Sequence, residues 1–218
     1  MQISYFGHSS FLLKSSQGRV LMDPYDETKM GMKLPQQEAD IVTISHEHDD
    51  HNARLVATGT PLILDIPGEY EKNGIRISGF ETYHDKQQGA QRGKNTMFKV
   101  EMDELAILHC GDLGHTLSSE LIEEIDGVDI LLIPVGGFYT IDASEARQMV
   151  EKLEPSLVIP MHYKDPQIKP NIDNYADMAP VEDFLGKVGV SDPERVKTLS
   201  IKKSDLTETV KIMVMDKS

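Results

Sequence analysis

The sequence predicts an α+β protein in which two sheets pack together and helices cover them from outside. Three observations predict it. Short apolar runs with strand-like alternation fill the first half of the 218-residue chain. Two nearly continuous apolar runs, "ADIVTIS" (39–45) and "VDILLIPV" (128–135), fall one in each half, as expected of strands covered on both faces. The second half alternates such runs with amphipathic helical stretches.

"MQISYF", "SSFLLKS" and "GRVLMD" read as a meander that opens the first sheet. After the 39–45 strand, "HNARLVAT" reads as a helix with Asp50 and His51 at its first turn. "TPLILD" is a strand. "GEYEKNGIRISGFET" is a hairpin turning at Asn73-Gly74, a pair that readily takes positive φ. "NTMFKVEM" and "LAILHC" are strands joined around Asp103-Glu104. "SSELIEEI" is a short helix capped by Ser118 or Ser119. "DASEARQMVEKL" and "PVEDFLGKVG" are helices flanking the strand "PSLVIPM", the second stopped by glycine. "RVKTLSIKK" and "TVKIMVM" are closing strands. With no repeat and no obvious linker, residues 1–218 read as one domain.

Apolar content of 39% and charged content of 27% are those of a globular protein. No apolar run approaches the ~20 residues that span a bilayer. The N-terminus lacks a basic leader. The single cysteine, Cys110, excludes an internal disulfide and a multi-thiolate zinc site, and a reducing, cytoplasmic location is expected. A net charge of -14 repels phosphate backbones, so nucleic acid is not an expected partner. No membrane partner is expected, because no basic amphipathic helix stands out. Oligomeric state is not written in the sequence, and a homo-oligomer is compatible with it.

The chemistry is concentrated in "ISHEHDDHN" (44–52), where His46, His48 and His51 are interleaved with acids just past a strand. Strand exits are where functional side chains are presented. His46 and His48 stand two apart, so extended backbone turns both to one side. Asp50 and His51 are adjacent and diverge toward a different point. Imidazole with carboxylate suits zinc, manganese or iron better than calcium or magnesium. A zinc-protease HExxH motif is excluded, because Asp50 stands where its second histidine belongs. Three more candidates follow strands: His84 after "GFETY", Asp112 after "LAILHCG", and His162 after "SLVIPM".

Asp23 after "RVLM", then His46-x-His48-x-Asp50-His51, His84, Asp112 and His162, in that order, resemble the metallo-β-lactamase fold superfamily. "YFGHSSFLL", "RGKNTMF", "HCGDLGH", "PVGGFYTIDASEA" and "IPMHY" are similar to its ascorbate 6-phosphate lactonase-like branch of metal-dependent hydrolases. The resemblance covers essentially the whole chain. It implies a four-layer αββα sandwich with ligands on loops at one edge. It implies two divalent ions, zinc or manganese with iron also admitted. His46, His48 and His84 would hold the first, and Asp50, His51 and His162 the second. Asp112 would bridge them, and Asp23 would fix a ligand histidine or the histidine loop.

The implied reaction is hydrolysis by a hydroxide shared between the ions, with Asp50 and Asp112 as catalytic residues. Two divalent cations with two aspartates and one hydroxide leave the site net positive. A small anionic substrate, a lactone or a phosphate ester, is therefore expected. A non-catalytic metal-dependent binder, or a phosphodiesterase or nuclease of the same fold, is the alternative. His8, at a strand end in "FGHSS", could face the metals as a further catalytic residue or be a structural histidine. His109 is expected to be structural. His115 could contact substrate or the helix start. Tyr139, Thr140 and Asp142 could supply supporting hydrogen bonds or a proton, with Asp142 better placed as a helix N-cap. Arg92 and Lys94 could bind a substrate phosphate or be merely solvated. Cys110 reads as a small buried residue, not a nucleophile. The segment 164–180 is expected to cover the pocket rim.

Overall fold

The computed structural model describes residues 1–166, 168, 170–171 and 175–218. The first part runs β1 (Gln2–Gly7), β2 (Ser10–Lys14), β3 (Arg19–Met22), α1 (Glu27–Met30), β4 (Gln37–Glu38) and β5 (Ile41–Thr43). It continues with β6 (Ala57–Thr58), β7 (Leu62–Leu64), β8 (Gly68–Lys72), β9 (Ile75–Tyr83), β10 (Lys94–Met102) and β11 (Leu105–His109). The remainder is α2 (Ser119–Ile125), β12 (Ile130–Pro134), α3 (Ala143–Leu153), β13 (Leu157–Met161) and α4 (Val181–Val188). β14 (Glu194–Val196), β15 (Thr198–Ser200) and β16 (Lys211–Met215) close the chain.

Two large mixed sheets result, beside a two-stranded parallel ladder of β4 with β6. One is ordered β15-β1-β2-β3-β5-β7 and the other β14-β16-β13-β12-β11-β10-β9-β8. Their alternating side chains sort as the pleat requires. Val20, Met22 and Ile41 join the large core shared with the second sheet, while Leu21, Val42 and Ile44 face outward into a separate cluster with Tyr25 and Met30. The outer face of the first sheet is covered by four-residue α1 and its loops, with Val56, Ala57 and Ile168 packed against the same cluster. The second sheet is covered by longer helices. Met149 and Phe184, from α3 and α4, are fully buried in the main core. Burial of each such side chain stabilises by about 1.5–3 kcal/mol. Parallel strands β12 and β13 are buried at every residue, as strands covered on both faces must be.

The expected turns form. Asn73 and Gly74 have φ of 57° and 78°, and Asp103 and Glu104 have φ of 51° and 64°. Ser118 caps α2 and Asp142 caps α3 in a reciprocal box with Glu145. One expected helix does not form. "HNARLVAT" makes only a 3-10 turn, Arg54–Val56, and Asp50 and His51 lie in the preceding turn. Backbone bonds to a neighbouring segment outcompete it: Ala53 N–H donates to Pro24 O at 2.7 Å and Asp26 N–H to Asp49 O at 2.9 Å. Among the described residues no helix is long and apolar enough to cross a membrane.

Candidate metal centre

The parallel relation of β3 with β5, and of β11 with β12 and β13, brings the C-terminal ends of these strands to one edge. β1 ends there too, because it is antiparallel to β2, which is antiparallel to β3. β9 delivers its end beside them through the antiparallel pairing of β10 with both β9 and β11. The edge therefore collects His8, Asp23, His46, Asp112 and His162 just past β1, β3, β5, β11 and β13, with His84 just past β9.

Every sequence-predicted ligand is brought together. His46, His48 and His84 form one group whose ligand atoms lie within 4.8 Å of one another, and His8, Asp50, His51 and His162 form another. His46, His51 and Asp112 make a third, overlapping group. Asp112 stands between them: its Oδ2 is 3.2 Å from His84 Nε2 and 3.1 Å from His162 Nε2, and its Oδ1 is 3.3 Å from His51 Nε2. These side chains fit a metal by an independent test. His46 Nε2 and Asp112 Oδ1 are buried with no hydrogen-bond partner in the protein, and such atoms are costly unless something satisfies them. Nitrogen and carboxylate oxygen donors suit a transition-metal cation.

Asp23 organises both groups. Its Oδ2 accepts from His51 Nδ1–H at 2.8 Å and from the Ser45 hydroxyl at 2.6 Å, and its Oδ1 accepts from Ser45 N–H at 2.8 Å. Ser45 Oγ in turn accepts from His46 Nδ1–H at 2.9 Å. One carboxylate thus fixes the tautomer of a histidine in each group and turns both Nε2 lone pairs inward. Asp23 thus contacts both a candidate ligand histidine, His51, and the loop that carries His46.

The electrostatics follow from burial among these partners. Burial opposes ionisation of Asp112, yet His162, His51 and His84 hold it well below the usual carboxylate range. Burial likewise opposes ionisation of Asp50, and His51 and His8 outweigh it. Burial, followed by the neighbouring His162, pushes His8 down to about 4. Burial lowers His46 well below its ordinary value. His51 goes the other way, raised against its burial by Asp112 and Asp50.

Backbone strain gathers at the same edge. His8, Asp23 and His162 have φ of 57°, 42° and 50°. Non-glycine residues in this region cost about 1–3 kcal/mol and cluster at functional sites. Gly111 also has positive φ, 54°, and a Cβ there would meet Asn95 Oδ1 and Ser45 Cβ.

The candidate ligands open into a cleft of about 620 Å³. Lys29, Asp49, Arg92, Tyr139, Asn171, Tyr175 and Met178 complete its walls. The last three belong to the 164–180 segment; residues 167, 169 and 172–174 of that segment lie outside the described residues. A larger cleft of about 1110 Å³ lies at the other end of the strands, between Glu71, Asp103, Asp129 and Lys203. It contains no histidine, so the chemistry belongs to the smaller one. Arg92 lies over the Tyr139 ring at 4.6 Å, inside contact range for a cation on an aromatic face. Lys94 instead pairs with Glu81 at 2.7 Å on the exposed surface.

The remaining candidates sort by their partners. His109 is buried, donates from Nε2 to Ser9 O at 2.8 Å and accepts at Nδ1 from Gly111 N–H at 3.1 Å, a structural role. His115 accepts from Tyr83 N–H at 3.2 Å and donates to Thr116 O at 3.0 Å, so it braces the end of β9 rather than lining the cleft. Thr140 donates to Ile141 O at 3.2 Å. Cys110 is buried, and burial pushes its thiol far up.

Two supporting residues had no role assigned from the sequence. Asn95 accepts from Asp112 N–H at 2.9 Å and donates to Thr82 Oγ1 at 2.8 Å, locking the Asp112 loop to β10. Asp85 gathers the backbone N–H groups of Gln87, Gly89, Gln91 and Arg92 at 2.7–3.0 Å, folding the loop that carries Arg92. Against the opposing effect of burial, those bonds hold Asp85 down to about 2. The position of Asp85 next to His84 and of Asn95 inside "RGKNTMF" was the available signal.

A sandwich of two mixed sheets carrying histidines and aspartates at one edge defines a class, and the comparisons agree with it. Residues 2–162 match the beta-lactamase superfamily domain, and the chain belongs to that family of metal-dependent hydrolases. It is 32% identical over 190 residues to a UPF0173 metal-dependent hydrolase of Thermoplasma acidophilum, covering 75% of this chain and 83% of that protein. It is 30% identical over 190 residues to a UPF0173 metal-dependent hydrolase of Thermococcus onnurineus, covering 75% and 84%. A crystal structure from Thermotoga maritima, assigned to the metallo-beta-lactamase superfamily, matches with a TM-score of 0.81. It is 36% identical, with 98% of this chain and 97% of that chain covered.

Proposed function

We propose that the protein is a binuclear metal-dependent hydrolase of a small anionic substrate, a lactone or a phosphate ester. The observation that carries this reading is Asp112. One carboxylate faces His84 at 3.2 Å, from the first group, and His51 and His162 at 3.3 and 3.1 Å, from the second. That geometry supports reading Asp112 as a ligand shared by two ions. His46, His48 and His84 would hold one ion, and Asp50, His51 and His162 the other. Two such ions, zinc, manganese or iron, would supply an acidified water as nucleophile and polarise the substrate oxygen.

The chain's own residues do the rest. Asp50, kept ionised and facing the cleft, accepts a hydrogen bond from the attacking water and orients it. Arg92 supports the anionic preference: its guanidinium sits on the Tyr139 ring at the cleft wall, and among the described residues no carboxylate pairs with it. Lys29 does not serve equally, because Asp49 takes its charge at 3.2 Å. A phosphate or carboxylate on the substrate would meet the guanidinium while its ester or lactone bond lies over the ligands. The tyrosine face holds the cation in place before substrate arrives, which lowers the ordering cost of binding.

The test is a panel of phosphorylated lactones, neutral lactones and phosphate esters, assayed with protein reconstituted with zinc or manganese. Turnover of anionic members, abolished in Asp112→Ala, is expected. No turnover of any member by fully loaded protein would contradict the reading and favour a non-catalytic binder.

A further inference from the structure

We propose that His8 is itself a ligand of the second ion, a fifth side chain beside Asp50, His51, His162 and the shared Asp112. The assignment rests on the two-ion reading above and extends it. His8 Nε2 lies 3.2 Å from His51 Nε2 and 3.2 Å from Asp50 Oδ2. The His8 and His162 rings have centroids 4.2 Å apart. His51 commits its Nδ1–H to Asp23, so its neutral form, the one that can bind a cation, presents the Nε2 lone pair toward His8. A single His8 N–H can satisfy only one of the two acceptors it faces. A shared cation satisfies all of them at once. Donor atoms bound to one ion at about 2.0–2.2 Å stand roughly 3–3.5 Å apart; both His8 distances fall in that range, and His51 Nε2 and Asp50 Oδ2 stand 3.7 Å apart.

The turn that presents His8 is built to hold it there. Its backbone has a φ of 57°, and its carbonyl oxygen accepts from the Tyr5 hydroxyl and from His162 N–H, both at 2.9 Å. The next carbonyl, of Ser9, accepts from His109 Nε2–H at 2.8 Å. His8 and His162 are thus two left-handed residues joined by a direct backbone bond, each turning an imidazole to the same point. His8 Nδ1 is buried without a partner, as are His84 Nδ1 and His162 Nδ1, so nothing else in the protein claims the His8 ring.

Manganese titration of the metal-free protein, read by electron paramagnetic resonance of the free ion, tests this. His8→Asn and His8→Gly are the variants, because both residues accept positive φ and leave the turn unstrained. Wild type should bind two ions. Both variants should keep the first ion unchanged and bind the second about a hundredfold more weakly. Free imidazole should restore the second ion to His8→Gly but not alter wild type. Wild type that binds two ions while both variants do the same with unchanged affinity overturns the His8 assignment alone. Wild type that binds fewer than two overturns the two-ion reading and this assignment with it. A weakened second ion that imidazole does not rescue means that His8 acts only through its hydrogen bond to Asp50, which also overturns the assignment.

Discussion

Asp23 Oδ2 and His51 Nδ1 lie 2.8 Å apart, both fully buried, and the same carboxylate oxygen receives the Ser45 hydroxyl at 2.6 Å. An amide in place of the carboxylate would keep the shape but confront one N–H with another. Asp23→Asn should therefore release His51 from its tautomer and loosen the His46 loop through Ser45. Metal affinity is expected to fall about 10–100-fold with the fold retained, measured by competition with a chromophoric chelator. Unchanged affinity would mean that the bond does not orient the ligand.

Gly111 and Gly186 make a matched pair. Gly111 has positive φ and no room for a Cβ, whereas Gly186 sits exposed in α4 with nothing within 4 Å. Gly111→Ala should destabilise the protein by about 2–4 kcal/mol, through strain and the displaced Asn95. Gly186→Ala should stabilise it by about 1 kcal/mol through helix propensity. Urea unfolding of the metal-free forms measures both.

Arg92→Ala should raise KM about tenfold for anionic substrates, the loss of one charge-assisted bond, and leave neutral analogues unchanged. Arg92→Lys should recover little, since an ammonium does not reproduce the planar stack on Tyr139. A KM rise for neutral and anionic analogues alike would show that the residue shapes the cleft rather than selecting charge.

Cys110 is 1% exposed and burial pushes its thiol well up, so little thiolate is available at neutral pH. Iodoacetamide at pH 8 should leave the folded protein unmodified and label it once denatured. Cys110→Ala should retain metal content and activity. Rapid labelling of the folded chain would contradict the placement of this residue.

The sheets and the ligand loops were legible because local signals and tertiary context agree there. Asn73-Gly74 turns where positive φ is needed, and His84, Asp112 and His162 each follow an apolar strand whose end the sheet carries to one edge. "HNARLVAT" misled because its helical pattern competes with backbone bonds to Pro24 and Asp26, partners that no local pattern reveals. The outer cover of the first sheet was not legible either, since α1 is a four-residue helix held by the Asp26 cap and ended by Gly31. Asp85 and Asn95 carry no motif of their own. Their roles are to satisfy loop N–H groups that exist only once the fold has brought the Arg92 loop and the Asp112 loop together. Where His8 points depends on a left-handed turn and on a bond to His162, 154 positions away by the numbering.

The most direct test of the central claim is metal content per chain by elemental analysis, on protein purified without chelator and on Asp112→Ala beside it. About two equivalents of zinc, manganese or iron in the native protein, falling in the variant that lacks the shared carboxylate, is the expected result. A native protein that holds one equivalent or none after reconstitution, or an Asp112→Ala variant that keeps both ions, would contradict it.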